Sequence, residues 1–169
     1  KKEKECRTYV FLSAGGGRGA STVSEAFARR CAKQGNVLKL DLQFCSGMET
    51  SVKNLDDILF ALKSRRYILP LKLEADVRIS EDGVATFGIC ENPIDLLHVS
   101  REEMRQLLKA IEESGDYNTI IIDMDGIFGE KEREILCCAD RIVCVADESR
   151  ECVNKFQRLY QAILALQQL

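Results

Sequence analysis

Apolar positions along the chain change period several times, and each change marks an element. Residues 8–13 form a short apolar run that stops at a cluster of glycines. From Ser21 onward, Val23, Phe27 and Cys31 recur at the four-residue spacing of a helix, which Gly35 ends. Strand, glycine loop and helix therefore open the chain. Residues 37–42 predict a second strand. Leu55, Ile58, Leu59 and Leu62 share one face of a helix entered at Asn54 and closed by the charges of Arg65 and Arg66. A turn signal at Asp82 and Gly83 precedes residues 84–89, a third core strand. Ser100 with Glu103 spells a capping box, Met104, Leu107, Leu108 and Ile111 give the following helix one apolar stripe, and Gly115 closes it. Ile120, Ile121 and Ile122 make an unbroken apolar run ending at Asp123, the pattern of a central parallel strand buried on both faces. Residues 130–138 predict a short helix and 141–146 a strand. Ser149 caps a last helix, with Val153, Phe156, Tyr160 and Ile163 facing inward. Strands alternating with helices predict an α/β fold, a doubly wound and mostly parallel sheet with helices on both faces.

Composition narrows the class. A chain of 169 residues suits one domain with one core, and its net charge of −3 argues against a broad basic footprint for nucleic acid. No apolar run approaches the roughly 20 residues that span a bilayer, so no transmembrane segment is expected. Residues 1–6 are charged and lead straight into a strand without the apolar core of a secretory signal, which predicts a cytoplasmic protein. The eight cysteines are then expected to be reduced, most of them as small core residues. His98, the one histidine, is expected at the surface or at a helix cap.

The chemistry lies in the first loop. A glycine-rich turn from a strand into a helix points backbone N–H groups outward at the positive end of the helix dipole, which suits an anion. Gly15, Gly16, Gly17, Arg18, Gly19, Ala20, Ser21 and Thr22 form such a turn. Two patterns compete for it. Gly15, Gly17 and Ala20 fit the dinucleotide fingerprint, with Asp41 at the end of the second strand as its ribose partner. Gly16, Gly17, Gly19 and Ser21 fit a phosphate loop, with the Ser21 hydroxyl placed for Mg²⁺ and Ala20 standing where a lysine meets the phosphates.

The wider context favours the phosphate loop. Residues 13–43 resemble the deviant Walker A region of the MinD/ParA family: Gly16, Gly17, Gly19, Ser21 and Thr22 match its loop, residues 26–35 its first helix, and residues 37–42 its next strand, with Asp41 on the strand's first aspartate. Residues 83–97 resemble its strand-and-proline segment, 117–123 its Walker B strand and 139–147 the strand after that. Within the family the chain is most similar to the CpaE/TadZ group of pilus-assembly proteins, some of which also lack the loop lysine. The resemblance implies a domain that binds ATP or ADP with Mg²⁺ on residues 15–22. Ser21 would hold the metal, Asp123 would support it from the second shell, and Asp41 would position water. It also implies a homodimer that works with other pilus-assembly proteins where a Flp/Tad (type IVb) pilus is built, at the cell pole. Residues 1–6 then read as the remnant of a linker, and residues 7–169 as the nucleotide-binding domain, cut short of the strand that reads the base.

The departures bear on mechanism. Ala20 and Gly15 stand at the family's two lysine positions, and Gln43 at the second aspartate of its IDLD strand. A charge acting on a phosphoryl-transfer transition state is worth about 10³–10⁵ in rate, whereas a single charge-assisted hydrogen bond contributes about 1.5–3 kcal/mol to binding. Hydrolysis is therefore expected to be weak or absent, as in a pseudo-ATPase. Arg18 is expected to face solvent, and Asp125, Asp147 and Glu148 to serve as loop or cap residues. Two alternatives stay open at this point: a scaffold that holds no nucleotide, and a NAD-type dinucleotide enzyme.

Overall fold

The computed structural model describes residues 6–47, 52, 54–64 and 66–166. Its elements run β1 (Arg7–Ser13), α1 (Ala20–Ala32), β2 (Val37–Asp41), α2 (Leu55–Ser64), a 3-10 turn (Arg66–Ile68), α3 (Leu69–Asp76), β3 (Arg78–Ile79), β4 (Val84–Thr86), α4 (Pro93–Leu97), α5 (Arg101–Ser114), β5 (Thr119–Asp123), α6 (Glu130–Cys138), β6 (Arg141–Val145) and α7 (Arg150–Leu166). The six strands form one sheet in the order β3-β4-β2-β5-β1-β6. Every pairing is parallel except that of β3 with β4, whose hairpin turns through Gly83 at φ +80°. The expected α/β architecture is present.

Alternation along the strands sorts the core into two faces. Val10, Leu12, Leu38, Leu40, Ile120 and Ile122 point to a large cluster built with the apolar stripes of α2, α3, α4, α5 and α6. Phe11, Val37, Val84 and Ile121 point the other way, where α1 covers them with Ala28. β5 is buried on both faces as its isoleucine run predicts. The capping box at Ser100 and Glu103 and the left-handed Gly115 bound α5 where the sequence places them. His98 caps α4 and is exposed.

Five expectations need correction. The buried stripe of α1 is Ala20, Ser24 and Ala28, while Val23 is exposed, because small residues let this helix lie close to the sheet. The third strand is only Val84–Thr86, and the 3-10 turn, α3 and the proline-initiated α4 occupy stretches with no predicted helix. Asn54 uses its side chain to donate to the Asp76 carbonyl, tying the start of α2 to the end of α3, and Arg65 lies outside the described residues. Cys152 alone of the eight cysteines is fully buried, and Cys45, Cys137 and Cys138 are exposed. Finally, Val153, Phe156 and Tyr160 of α7 are exposed and Ile163 is half-buried, although Ser149 does cap the helix. α7 follows β6, the edge strand, which offers only a half-covered surface to pack on. No helix among the described residues is long and apolar enough to cross a membrane.

Candidate functional site

Parallel strands place the residues that follow them at one end of the sheet, and ligands of doubly wound sheets bind there, where neighbouring connections leave in opposite directions. β1 sits between β5 and β6, and its chain leaves toward β2, whereas the chain from β5 crosses to β6. The loop at residues 14–19 therefore emerges at the crevice. Its backbone depends on glycine at two places, Gly17 at φ +72° and Gly19 at φ +84°, a region other residues avoid. Gly19 is also the N-cap of α1 and supplies no side-chain cap. Among the described residues, no protein group accepts a hydrogen bond from the amides of Gly16, Gly17, Arg18, Gly19, Ala20, Ser21 or Thr22. A Cβ built on Gly16, Gly17 or Gly19 would meet nothing, so this run of donors is open. Ala20, at the first turn of α1, is buried.

Beside the loop lie two carboxylates. Asp41 and Asp123 are register partners on β2 and β5, and both point to the α1 face. Ser24 of α1 donates to Asp123 Oδ2 at 2.9 Å, while Asp123 Oδ1 is buried without a hydrogen-bond partner. Asp41 Oδ1 accepts the Gln43 N–H at 3.1 Å and Oδ2 accepts the Ser46 hydroxyl. Burial pushes the pKa of both acids up, and the hydroxyls of Ser24 at Asp123 and of Ser46 at Asp41 only partly oppose it. The Ser21 hydroxyl donates to Gln43 Oε1 at 3.1 Å, so Gln43, just beyond the end of β2, holds the candidate metal ligand.

Arg18 is exposed, as expected, but its head group is not free. Its guanidinium lies over Gly15 and pairs with Asp147 at the end of β6. Asp147 also accepts the N–H and hydroxyl of Ser149 at the start of α7, and these bonds with Arg18 hold its carboxyl below the usual range. Asp125 accepts the Phe44 N–H at 2.7 Å and tethers the loop after β2. Glu148 is exposed. Asp125 and Asp147 thus take the loop and cap roles expected of them.

One residue at the crevice escaped the sequence. Lys39, on the same face of β2 as Asp41, is 3% exposed and donates to Glu25 Oε2 of α1 at 2.9 Å. It lines a cavity of about 760 Å³ with Ser21, Thr22, Asp41 and Gln43. A second cavity of about 710 Å³ opens at the amino ends of β2 and β5, the far end of the strands, and has no buried charged residue in its lining.

This arrangement of an open glycine loop between β1 and α1, with an aspartate closing the neighbouring strand, defines a phosphate-loop α/β fold. It is not the dinucleotide arrangement, in which the second strand lies next to the first. Here β5 separates β1 from β2, and both oxygens of Asp41 are engaged below the surface, so the fingerprint at Gly15, Gly17 and Ala20 is a coincidence of spacing.

Solved structures agree with that assignment. A ParA family ATPase from Chlorobium tepidum TLS superimposes with a TM-score of 0.73 at 20% identity, over 92% of this chain and 67% of that one. A putative plasmid partition protein from Borrelia burgdorferi B31, bound to AMPPNP, gives 0.70 at 15% identity over 98% and 72%. The kinase domain of the Escherichia coli tyrosine kinase ETK gives 0.63 at 21% over 96% and 65%. The fold is thus shared by proteins of different activity. No protein-family model and no curated protein matches the chain.

Proposed function

We propose that this chain is a nucleotide-binding module of the MinD/ParA type that holds ATP or ADP with Mg²⁺ and hydrolyses it slowly or not at all. The observation that carries this is the run of amides from Gly16 to Thr22, at the amino end of α1, that no group among the described residues engages. Polyphosphate satisfies such donors directly, and the helix dipole adds to the attraction. The residues present also fit the metal that accompanies it. Ser21 offers a hydroxyl, and the unpartnered buried oxygen of Asp123 is the kind of group that a metal-bound water would satisfy. Mg²⁺ would there neutralise phosphate charge.

The loop carries no lysine, and its one cation, Arg18, is held by Asp147. Backbone donors bind ground state and transition state alike, so the loop supports affinity more than turnover. A switch driven by nucleotide occupancy follows, in a homodimer that serves as a localisation factor. The sequence resemblance to the CpaE/TadZ group extends this to a Flp/Tad pilus at the cell pole, with other pilus-assembly proteins as partners. The AMPPNP reported with the Borrelia neighbour supports the ligand class.

Calorimetric titration with ATP, ADP and NAD, each with Mg²⁺, tests the proposal. ATP or ADP is expected to bind and NAD not to, and Ser21→Ala is expected to abolish the Mg²⁺ dependence. A folded protein that takes up no nucleotide at millimolar concentration would instead be a scaffold.

A further inference from the structure

A nucleoside triphosphate brings three to four negative charges to a loop whose single cation is engaged elsewhere, and two buried carboxylates stand beside it. One buried cation, Lys39, lines the same crevice. Its ammonium is almost wholly buried, its recorded hydrogen bond uses one of three N–H groups, and its charge acts on both Asp41 and Asp123. A buried lysine facing a single half-buried carboxylate is costly to keep on a strand whose every residue is buried.

We propose that Lys39 is the loop's displaced cation: it leaves Glu25 and binds the terminal phosphate of the nucleotide held by the loop amides. This rests on the nucleotide-binding function proposed above. The geometry allows it because Lys39, Ser21 and Thr22 border one continuous cavity. Glu25 lies four residues beyond Ser21 on α1, about 6 Å along the helix. Ser21 and the carboxylate that now holds Nζ thus belong to adjacent turns of α1, and the four-carbon stem of Lys39 lets its ammonium swing along the cavity that joins them. Glu25 partners the ammonium while the site is empty, and Arg29, which pairs with both Glu25 and Asp82 at 3.1 Å, fixes the position of that carboxylate. Glu25 and the phosphate then compete for one cation.

That competition gives opposite signs to two substitutions in the full chain. Lys39→Met, which keeps the apolar stem, is expected to weaken Mg-ATP binding by about ten- to a hundredfold and Mg-ADP binding less, as loss of a charge-assisted bond to the last phosphate requires. Glu25→Gln releases the ammonium and is expected to tighten Mg-ATP, with a larger ATP-induced rise in thermal midpoint than the unsubstituted protein shows. Calorimetry reads both. Affinities unchanged in both variants, or weakened in both, overturn the inference and mark the pair as a structural bridge, while ATP binding by the unsubstituted chain still upholds the function. If Lys39→Met does not fold, Glu25→Gln decides by its preference between nucleotides: Mg-ATP tightened more than Mg-ADP upholds the inference, and equal tightening of both, which the loss of one negative charge from the cavity lining gives by itself, overturns it. Failure of the unsubstituted chain to bind ATP overturns both.

Discussion

The two faces of the sheet are built on different principles, although the same strands supply both. One face gathers Val10, Leu12, Leu38, Leu40, Ile120 and Ile122 under five helices, and its buried charges among the described residues, Lys131 and Glu134, belong to α6 and not to the strands. The other is covered by α1, and at its crevice end lie Lys39, Asp41, Asp123 and Ser24, all buried. Adjacent residues of β5 show the contrast, since Ile122 belongs to the first face and Ile121 and Asp123 to the second. Stability is concentrated on the apolar side. The α1 side holds polar groups that folding alone does not favour, which is what a binding site requires.

The largest expected effect tests that division directly. Ile122→Ala should destabilise toward the upper end of the roughly 2–5 kcal/mol typical of such truncations, because five helices fix the walls of the cavity it leaves. Ile121→Ala, equally buried, should fall toward the lower end, because α1 meets the sheet through small residues and can settle inward. Urea unfolding of the two variants measures the difference. Equal losses would mean that the faces share the load and that the contrast is only one of composition.

The same division explains what the sequence revealed. β5, the capping box at Ser100 and the glycine loop were legible because each is a local signal: an apolar run, a three-residue spacing, a cluster of glycines. α7 was misread for the opposite reason. Its period identifies an apolar stripe, Val153, Phe156 and Tyr160, but says nothing about what lies against it, and the stripe is exposed with Phe156 and Tyr160 stacked at 6.1 Å. In α1 the large residues draw the eye, whereas Ala20, Ser24 and Ala28 make the contact. Lys39 was invisible at the site because its meaning depends on Glu25, a residue of another element brought near only by packing. At the site itself, Ser21, Asp41 and Asp123 do converge on the crevice from separate stretches of sequence, while Arg18 is claimed by Asp147.

A second, smaller effect sharpens the comparison from the apolar side, whose buried charges lie on a helix, α6, and not on the strands. Glu134 of α6 accepts from Arg101 Nε at 2.7 Å and Arg105 Nε at 2.9 Å of α5, and these bonds hold its carboxyl below the ordinary value. A depressed folded value means that the contribution is complete above the unfolded value and fades as pH falls through the folded one. Glu134→Gln should cost about 1 kcal/mol near neutral pH, modest because water screens the half-exposed guanidiniums. In strong acid the variant and the parent should unfold alike. A constant difference at every pH would show that packing, not charge, joins the two helices.

Asp41 should behave with the reverse sign, and this is the smallest effect and the most diagnostic. Burial raises its folded pKa, with the neighbouring Asp123 adding to the shift and the Ser46 and Gln43 bonds opposing it. Between the unfolded and folded values the native state holds a proton that the unfolded chain has released, so stability falls as pH rises through that window and stays lower above it. Asp41→Asn removes the penalty while its amide oxygen still accepts from Gln43 and the Ser46 hydroxyl turns to accept from the amide nitrogen. The ligand-free variant should therefore melt at a slightly higher temperature than the parent at pH 7, with the gap closing toward pH 3. Thermal unfolding across that range measures it. A variant less stable at pH 7 would show that Asp41 is a structural acid whose ionised form the fold needs. The α1 side would then be a second stabilising face, and the charge stored there would no longer point to a ligand.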